Sequence, residues 1–278
     1  MNQRLFIAGT VVGLGLITVL ITSLALRPKV VQRGVPIPGS PGSMDVLEVR
    51  ERSGFRAFNR GLRLQSKARF VKFPRTNDFW SAIDDELERR VREANEKFTS
   101  RFSWPLFRLS LEKANSDFDF EQTVSWKASW ASPKLVSLLA TYHDYHGRAH
   151  GNKSFMALNA VPDAFNSWQG FTLDQCFVST SGWRKPVAAL VAAEFSWQEH
   201  VRRRADQDNY FEASIPFNEL AETPFTIGRE GFSLWYGHTE NDSFADDSLE
   251  VFISYEKILH LLDTNGPARW LPCFPETR

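Results

Sequence analysis

The stretch TYHDYHGRAHGN (141–152) holds three of the six histidines in the chain, together with two glycines. The residues that lead into it carry helix-start signals, a serine followed by a proline, and leucines at helical spacing. In a helix over 133–146, His143 and His146 share one face. His150 could then fold back as a third ligand, and the stretch would be a metal site.

The same residues also fit a strand, which changes what the histidines can do. Side chains alternate along a strand, so His143 and His146 point to opposite faces of a sheet and the metal triad is broken. The stretch would then connect a strand at 134–145 to a strand at 153–161. Three residues would supply this connection: Gly147, Gly151 and Asn152. Local signals alone favour the helix.

Apolar periodicity predicts the other elements of the domain. Two helices are expected, one over 183–204 and one whose apolar face consists of Phe79, Ile83, Leu87, Val91, Ala94 and Phe98. Alternating apolar and polar residues predict strands in four further segments: 61–73, 106–130, 225–237 and 249–255. A short closing helix follows at 256–263. The predicted fold class is α+β, with a mainly antiparallel sheet and two principal helices.

The N-terminal part of the chain is typical of a membrane anchor. Leu5 to Leu26 form an uncharged apolar run of about 22 residues, which at ~1.5 Å per residue is long enough to cross a bilayer. The apolar region of a cleavable signal peptide is shorter. We therefore expect a transmembrane signal anchor at 1–27, a Pro/Gly linker at 28–45 and an α+β domain at 46–278. Two subdomains, 46–130 and 131–278, are an open alternative within that domain.

Composition excludes several classes of function. The 33 Lys and Arg residues balance the 33 Asp and Glu residues, so no net charge points to nucleic acid. No Gly-x-Ser-x-Gly elbow, phosphate loop or HExxH motif occurs. The two cysteines, Cys176 and Cys273, lack CxxC or zinc-knuckle spacing. In an oxidising compartment we expect a disulfide between them, with two separately buried thiols as the alternative.

Two charged stretches each have a functional and a structural interpretation. Basic residues dominate 50–75, which would suit an anionic wall polymer or lipid headgroups, although a solvated strand surface explains them as well. The loop HTENDSFADD (238–247) offers oxygen ligands for calcium, but it lacks calcium-loop spacing and a solvated loop is favoured. The nine tryptophans could stack on sugar rings, and core packing accounts for most of them.

Three motifs resemble a known family. YHDYHGRAHGN (142–152), GFTLDQCF (170–177) and FTIGREGFSLWYGHTENDSFADDSLEVFISYEKI (225–258) resemble a family of extracytoplasmic domains of unknown function. The family occurs in the lysozyme-sensing ectodomain of the anti-sigma factor RsiV and beside the catalytic domain of the peptidoglycan deacetylase PdaC. Its most specific motif is the turn Tyr-x-Gly-x-Ala-His-Gly, here 145–151, with Arg148 where the family has a second glycine. The resemblance covers roughly 60–262 of the chain.

The resemblance implies a strand at 134–145, against the local helix signals, because sheet pairing can override propensity. It also implies an exported domain, which settles the orientation that the charges beside the anchor leave open. Only four residues precede the apolar run, too few to hold a sigma factor, and no deacetylase metal motif occurs. The chain is therefore expected to be the binding module alone.

These observations predict a single-pass membrane protein with a non-enzymatic domain in the periplasm or extracellular space. Its expected partner is cell-wall glycan or a lysozyme-type protein, with no cofactor, metal or nucleic acid. The predicted binding residues lie in the turn: Tyr145, Gly147, Arg148, His150, Gly151 and Asn152. The alternative is an envelope hydrolase or deacetylase-like enzyme that uses the 143–150 histidine cluster with a metal.

Overall fold

A computed structural model of the chain describes eight segments: 29–36, 46–59, 62–101, 119–146, 151–165, 167–205, 220–237 and 249–274. The predicted anchor at 1–27 lies outside them. Within these segments, no helix combines the length and the apolar character that a membrane span requires.

The larger sheet has seven strands, and each strand lies beside its neighbour in the sequence. They are β1 (Lys29–Pro36), β2 (Val46–Asn59), β3 (Leu62–Lys72), β4 (Asp119–Ser132), β5 (Leu135–His146), β6 (Asn152–Pro162) and β7 (Trp168–Gly170). All neighbours are antiparallel except β3 and β4, which are parallel. The sheet is therefore mainly antiparallel, as the sequence predicted, but mixed because of this one parallel pair. The physical reason is the helix between β3 and β4, because parallel neighbours need a long crossover connection.

The first strand lies in the segment predicted to be a linker. Lys29–Pro36 pairs with β2, where Val30 lies opposite Arg50 and Pro36 opposite Val46. Prolines fit at such a position, since β1 is an edge strand and its outer N–H groups need no partner in the sheet. The division of the whole chain into anchor, linker and domain stays a prediction.

Residues 135–146 form a strand, so the helix that local signals favoured at 133–146 is wrong. Ser132, expected to start that helix, closes the tight β4–β5 turn, where its hydroxyl oxygen accepts hydrogen bonds from the backbone N–H of Leu135 (3.1 Å) and Lys134 (3.3 Å). β5 pairs along its length with β4 and β6. Backbone hydrogen bonds on both edges outweigh a weak local preference for helix.

One face of the larger sheet is covered by a long helix, α1 (Asp78–Arg101). The side chain of Asn77 caps it, accepting a hydrogen bond from the Trp80 N–H at 2.8 Å. Its predicted apolar face is confirmed, since Ile83, Leu87 and Val91 are all 0% exposed. They form one hydrophobic core with the sheet residues below: Ala68, Phe70, Val124, Trp126, Val136, Leu138, Ala140, Leu158 and Ala160.

A second sheet has three antiparallel strands in the order β10–β9–β8. Their bounds are β8 (Phe225–Ile227), β9 (Gly231–Tyr236) and β10 (Leu249–Ser254), and helices α2 (Arg184–Ala205) and α3 (Tyr255–Ile258) accompany them. Five of the predicted elements are confirmed within a residue at each end: the helix at 183–204 and the strands at 61–73, 134–145, 153–161 and 249–255. At Gly231 a Cβ would overlap the Ile253 carbonyl oxygen, so the close approach of β9 and β10 requires glycine there.

Two buried polar side chains of the larger sheet join it to the smaller one. Ser137 of β5 is 0% exposed and Asn159 of β6 is 4% exposed. The Ser137 Oγ accepts a hydrogen bond from the Ile227 N–H at 2.8 Å, and the Asn159 Nδ2 donates to the Phe225 carbonyl at 2.8 Å. The edge of β8 is thus fixed across the face of the larger sheet that is opposite α1.

Candidate functional site

The sheet face opposite α1 changes from apolar to mostly polar where β8 crosses it. Toward the β4–β5 turn, Leu135 and Val161 join a second hydrophobic core with the smaller sheet and α2. On the other side of Ser137 and Asn159, the same strands place mostly polar residues on this face, interrupted by Leu139, Ala157 and Phe155. None of these residues belongs to either core. Within the described segments no apolar core layer covers this half of the face, which makes it a candidate surface for contact with a ligand.

Cross-strand register arranges this half of the face into two rows. One row consists of Lys67, Thr123, His143 and Lys153, and the other of Arg69, Ser125, Thr141 and Phe155. We define the polar face as these eight residues together with Lys127 and Tyr145, which occupy the same side of β4 and β5. The four strands hold these groups at a fixed spacing of about 4.8 Å between neighbouring strands.

An aromatic corner closes one side of the polar face. The rings of Phe155 and Trp235 lie with their centroids 5.3 Å apart. The Trp235 Nε1 donates to the Thr226 hydroxyl at 3.0 Å, which fixes the indole against β8. The smaller sheet therefore borders the polar face, and the two sheets contact each other through these rings.

The polar face is rich in positive charge. Arg69 and Lys127 are exposed, and neither forms an ion pair with any residue that the structure describes. The Lys67 Nζ lies 3.2 Å from the Glu51 carboxylate, and the Lys153 Nζ lies 5.7 Å from the centre of the Phe155 ring. Glu51 also lies opposite Arg69 in the register of β2 and β3, but its carboxylate is bonded to Lys67. Among the described residues, Arg69 and Lys127 therefore remain able to attract an anion.

The predicted site residues do not all lie together. Gly147, Arg148 and His150 are outside the described residues, so their predicted roles stay predictions. Tyr145 pairs with Glu121 on the side of the polar face. Asn152 pairs with Asp144, one position along, and therefore belongs to the face that α1 covers. Strand alternation thus separates Asn152 from Tyr145.

His143 lies at the end of the polar face, against the start of β6. A Cβ at Gly151 would come within 2.8 Å of the His143 Nε2, so a glycine leaves room for the imidazole. The side chain of His146 and all of His150 lie outside the described residues, so the predicted histidine cluster stays a prediction. Within the described segments, no group of three His, Cys, Asp or Glu side chains is arranged to hold a metal ion.

Register also divides the predicted basic strip of 50–75. Lys67 and Arg69 lie on the polar face, whereas Lys72 lies on the opposite face and bonds to Asp84 of α1. Sequence reasoning missed Ser125, Thr141 and Lys127 as site residues. The sequence signal for these residues is the alternation of polar and apolar positions in β4 and β5. That alternation shows which residues of one strand share a face, but it does not show which residues of other strands lie beside them.

The predicted disulfide is not formed, and both cysteines are free thiols. Cys176 is fully buried, and desolvation raises the pKa of its thiol far above the ordinary range. Burial also raises the pKa of Cys273, to about 11. Both thiols are therefore protonated at neutral pH, which makes them poor nucleophiles. The structure thus matches the alternative of two thiols in part, with Cys176 buried and Cys273 half-buried.

No protein-family model matches the sequence. No curated protein matches it either. The fold is similar to that of a DUF3298 family protein from Pseudomonas aeruginosa PAO1, with a TM-score of 0.49, 14% identity, and coverage of 83% of this chain and 96% of that chain. It is also similar to a DUF3298 member from Bacteroides fragilis NCTC 9343, with a TM-score of 0.49, 12% identity, and coverage of 87% and 95%. The finer resemblance to the RsiV and PdaC modules stays a prediction.

Proposed function

We propose that this chain is a membrane-anchored, non-enzymatic module whose domain lies outside the cytoplasm and binds cell-wall glycan or a lysozyme-type protein through the polar face. The observation that supports the proposal is the half of the sheet where Ser125 and Thr141 lie side by side and no core layer of the described residues covers them. Neither hydroxyl has a hydrogen-bond partner among the described residues. Polar groups on a rigid sheet are well placed to bind a ligand without reorganisation.

The chemistry of the polar face suits a sugar polymer. Hydroxyl, imidazole and ammonium groups can exchange hydrogen bonds with sugar hydroxyls. The rings of Phe155 and Trp235 offer an apolar platform at the end of one row. A repeating ligand would meet the same spacing of groups from strand to strand, so several weak contacts add up along its length.

We expect the full chain, purified in detergent micelles, to sediment with insoluble cell-wall sacculi. The double substitution Ser125→Ala/Thr141→Ala should weaken this binding about 30-fold, because each lost hydrogen bond costs about 1 kcal/mol. A matched control, Ser100→Ala/Ser196→Ala, removes two exposed helix hydroxyls and should bind like the unchanged chain. Equal losses in the two variants would contradict a ligand site on the polar face.

A parallel capture experiment with an immobilised lysozyme addresses the second class of partner. Binding to lysozyme alone, sensitive to Ser125→Ala/Thr141→Ala, would assign the polar face to a protein ligand. Binding to neither sacculi nor lysozyme would overturn the proposed function.

The location of the domain has its own test. Protease added outside spheroplasts should degrade the domain of an exported protein, because a single N-terminal anchor leaves it on the outer side of the membrane. A cytosolic marker protein should stay intact in the same sample. Full protection of the domain until the cells are lysed would contradict the exported location.

A further inference from the structure

We propose that the polar face binds the carboxylate groups of an acidic glycan at a subsite centred on Ser125 and formed with Arg69, Lys127 and Thr141. The inference rests on the proposed function and names the ligand chemistry of the same surface. Its basis is the register of three neighbouring strands, which collects two cations and two hydroxyls from separate parts of the sequence.

The geometry of the subsite follows from strand pairing. Ser125 of β4 lies opposite Arg69 of β3 on one side and opposite Thr141 of β5 on the other. Residues opposite each other in a sheet are about 5 Å apart, and Lys127, two positions along the same strand, is about 7 Å from Ser125. The flexible side chains of Arg69 and Lys127 can therefore both reach an anion that lies over the Ser125 hydroxyl.

The positive charges of Arg69 and Lys127 could be balanced by an anionic group of the ligand. Two acids with described side chains share this side of the sheet. Glu51 lies opposite Arg69 in the β2–β3 register but is bonded to Lys67 at 3.2 Å, and the Glu121 carboxylate accepts a hydrogen bond from the Thr123 hydroxyl at 3.5 Å. Arg69 and Lys127 keep an excess positive charge within the described part of the face. A carboxylate supplies the missing counter-charge, and the planar guanidinium can bind it with two parallel hydrogen bonds.

The same row of residues favours a sugar over a protein ligand. Arg69, Ser125, Thr141 and Phe155 lie in register across four strands, a span of about 14 Å. A sugar acid over Ser125 therefore places its neighbouring ring near the Phe155–Trp235 corner. A basic protein would instead bring like charges against Arg69 and Lys127, which costs binding energy.

The test compares two forms of the same probe, purified sacculi and sacculi whose carboxylates have been converted to amides. Binding of the full chain in detergent should fall about tenfold on the amidated form, because charge-assisted contacts are lost. Arg69→Gln/Lys127→Gln should bind untreated sacculi about tenfold more weakly and show no further loss on amidation. The control Arg92→Gln/Lys185→Gln, with the same charge change on exposed helix positions, should behave like the unchanged chain.

The outcomes separate this inference from the proposed function. Equal binding to both forms of sacculi by the unchanged chain would overturn the carboxylate subsite and leave glycan binding standing. If amidation of the sacculi also weakens binding of the Arg69→Gln/Lys127→Gln variant, the carboxylates are bound elsewhere. That result would overturn the subsite. Absence of binding to either form would overturn the subsite together with glycan binding.

Discussion

Asn159→Leu should lower the melting temperature of the chain by about 5–15 °C, with a loss of about 2–5 kcal/mol in the free energy of unfolding. Leucine has the same number of side-chain non-hydrogen atoms as asparagine in a similarly branched shape, so the change removes hydrogen bonds and leaves no cavity. Thermal unfolding followed by circular dichroism measures the loss. Hydrogen exchange at the Ile227 amide should become faster in the same variant.

The reason is that Asn159 serves both sheets at once. Its Oδ1 accepts a hydrogen bond from the Ser137 hydroxyl at 2.6 Å, and its Nδ2 donates to the Phe225 carbonyl at 2.8 Å. Leucine leaves the buried Phe225 carbonyl without a donor and the Ser137 hydroxyl without its acceptor. Each buried polar group without a partner costs about 1–3 kcal/mol.

Ser129→Ala is the matched control for this network. The Ser129 hydroxyl lies 3.2 Å from the Ser137 carbonyl oxygen and 3.4 Å from the Ser137 hydroxyl, and it does not bond to Asn159 or to the backbone of β8 among the described residues. We expect a loss of less than about 1 kcal/mol, since alanine removes a half-buried donor and a carbonyl can take another. Equal melting temperatures for Asn159→Leu and Ser129→Ala would contradict a polar joint between the sheets.

The elements that could be predicted from sequence are those whose evidence is local. Apolar residues every three or four positions predicted α1, and Ile83, Leu87 and Val91 are indeed buried together. The stretch 135–146 shows the limit of local evidence, because a good helix cap at Ser132 competes with pairing to two strands. The parallel pairing of β3 and β4 was also missed, since it depends on residues that are more than 50 positions apart.

The site was harder to predict than the fold for the same reason. In the sequence, Arg69 is one of many basic residues in 50–75. Ser125 and Thr141 are ordinary polar positions in predicted strands. Only the register of β3, β4 and β5 makes them neighbours. The turn motif drew attention to 145–152, yet strand alternation assigns Asn152 and Tyr145 to opposite faces.

Lys72→Met should be the second strongly destabilising change, with a loss of about 3–5 kcal/mol at about pH 8. Asp84 of α1 is 0% exposed, and its carboxylate bonds to the Lys72 ammonium and accepts the Phe73 N–H at 3.3 Å. Methionine fills the space of the lysine stem but leaves the buried carboxylate without its nearest cation. Arg75, at 3.4 Å, is more than half exposed and compensates only in part.

The loss should depend on pH in a defined direction. Burial already raises the pKa of Asp84, while the bond to Lys72 opposes that rise. Without Lys72 the folded-state pKa of Asp84 rises further above its value in the unfolded chain. Between these two values the folded state binds more protons than the unfolded state, so stability falls as pH increases. The deficit of Lys72→Met should therefore be larger at about pH 8 than at about pH 5.

The double variant Lys72→Met/Asp84→Asn isolates the charge of Asp84 as the cause. Asparagine keeps an oxygen that can accept the Phe73 N–H, but it is neutral at every pH, so no buried charge remains. We expect it to recover at least half of the stability lost at about pH 8 and to remove the extra dependence on pH. Denaturant unfolding at the two pH values measures both effects. A deficit that is independent of pH in Lys72→Met and undiminished in the double variant would show that lost packing of the lysine stem, rather than a buried carboxylate, causes the instability.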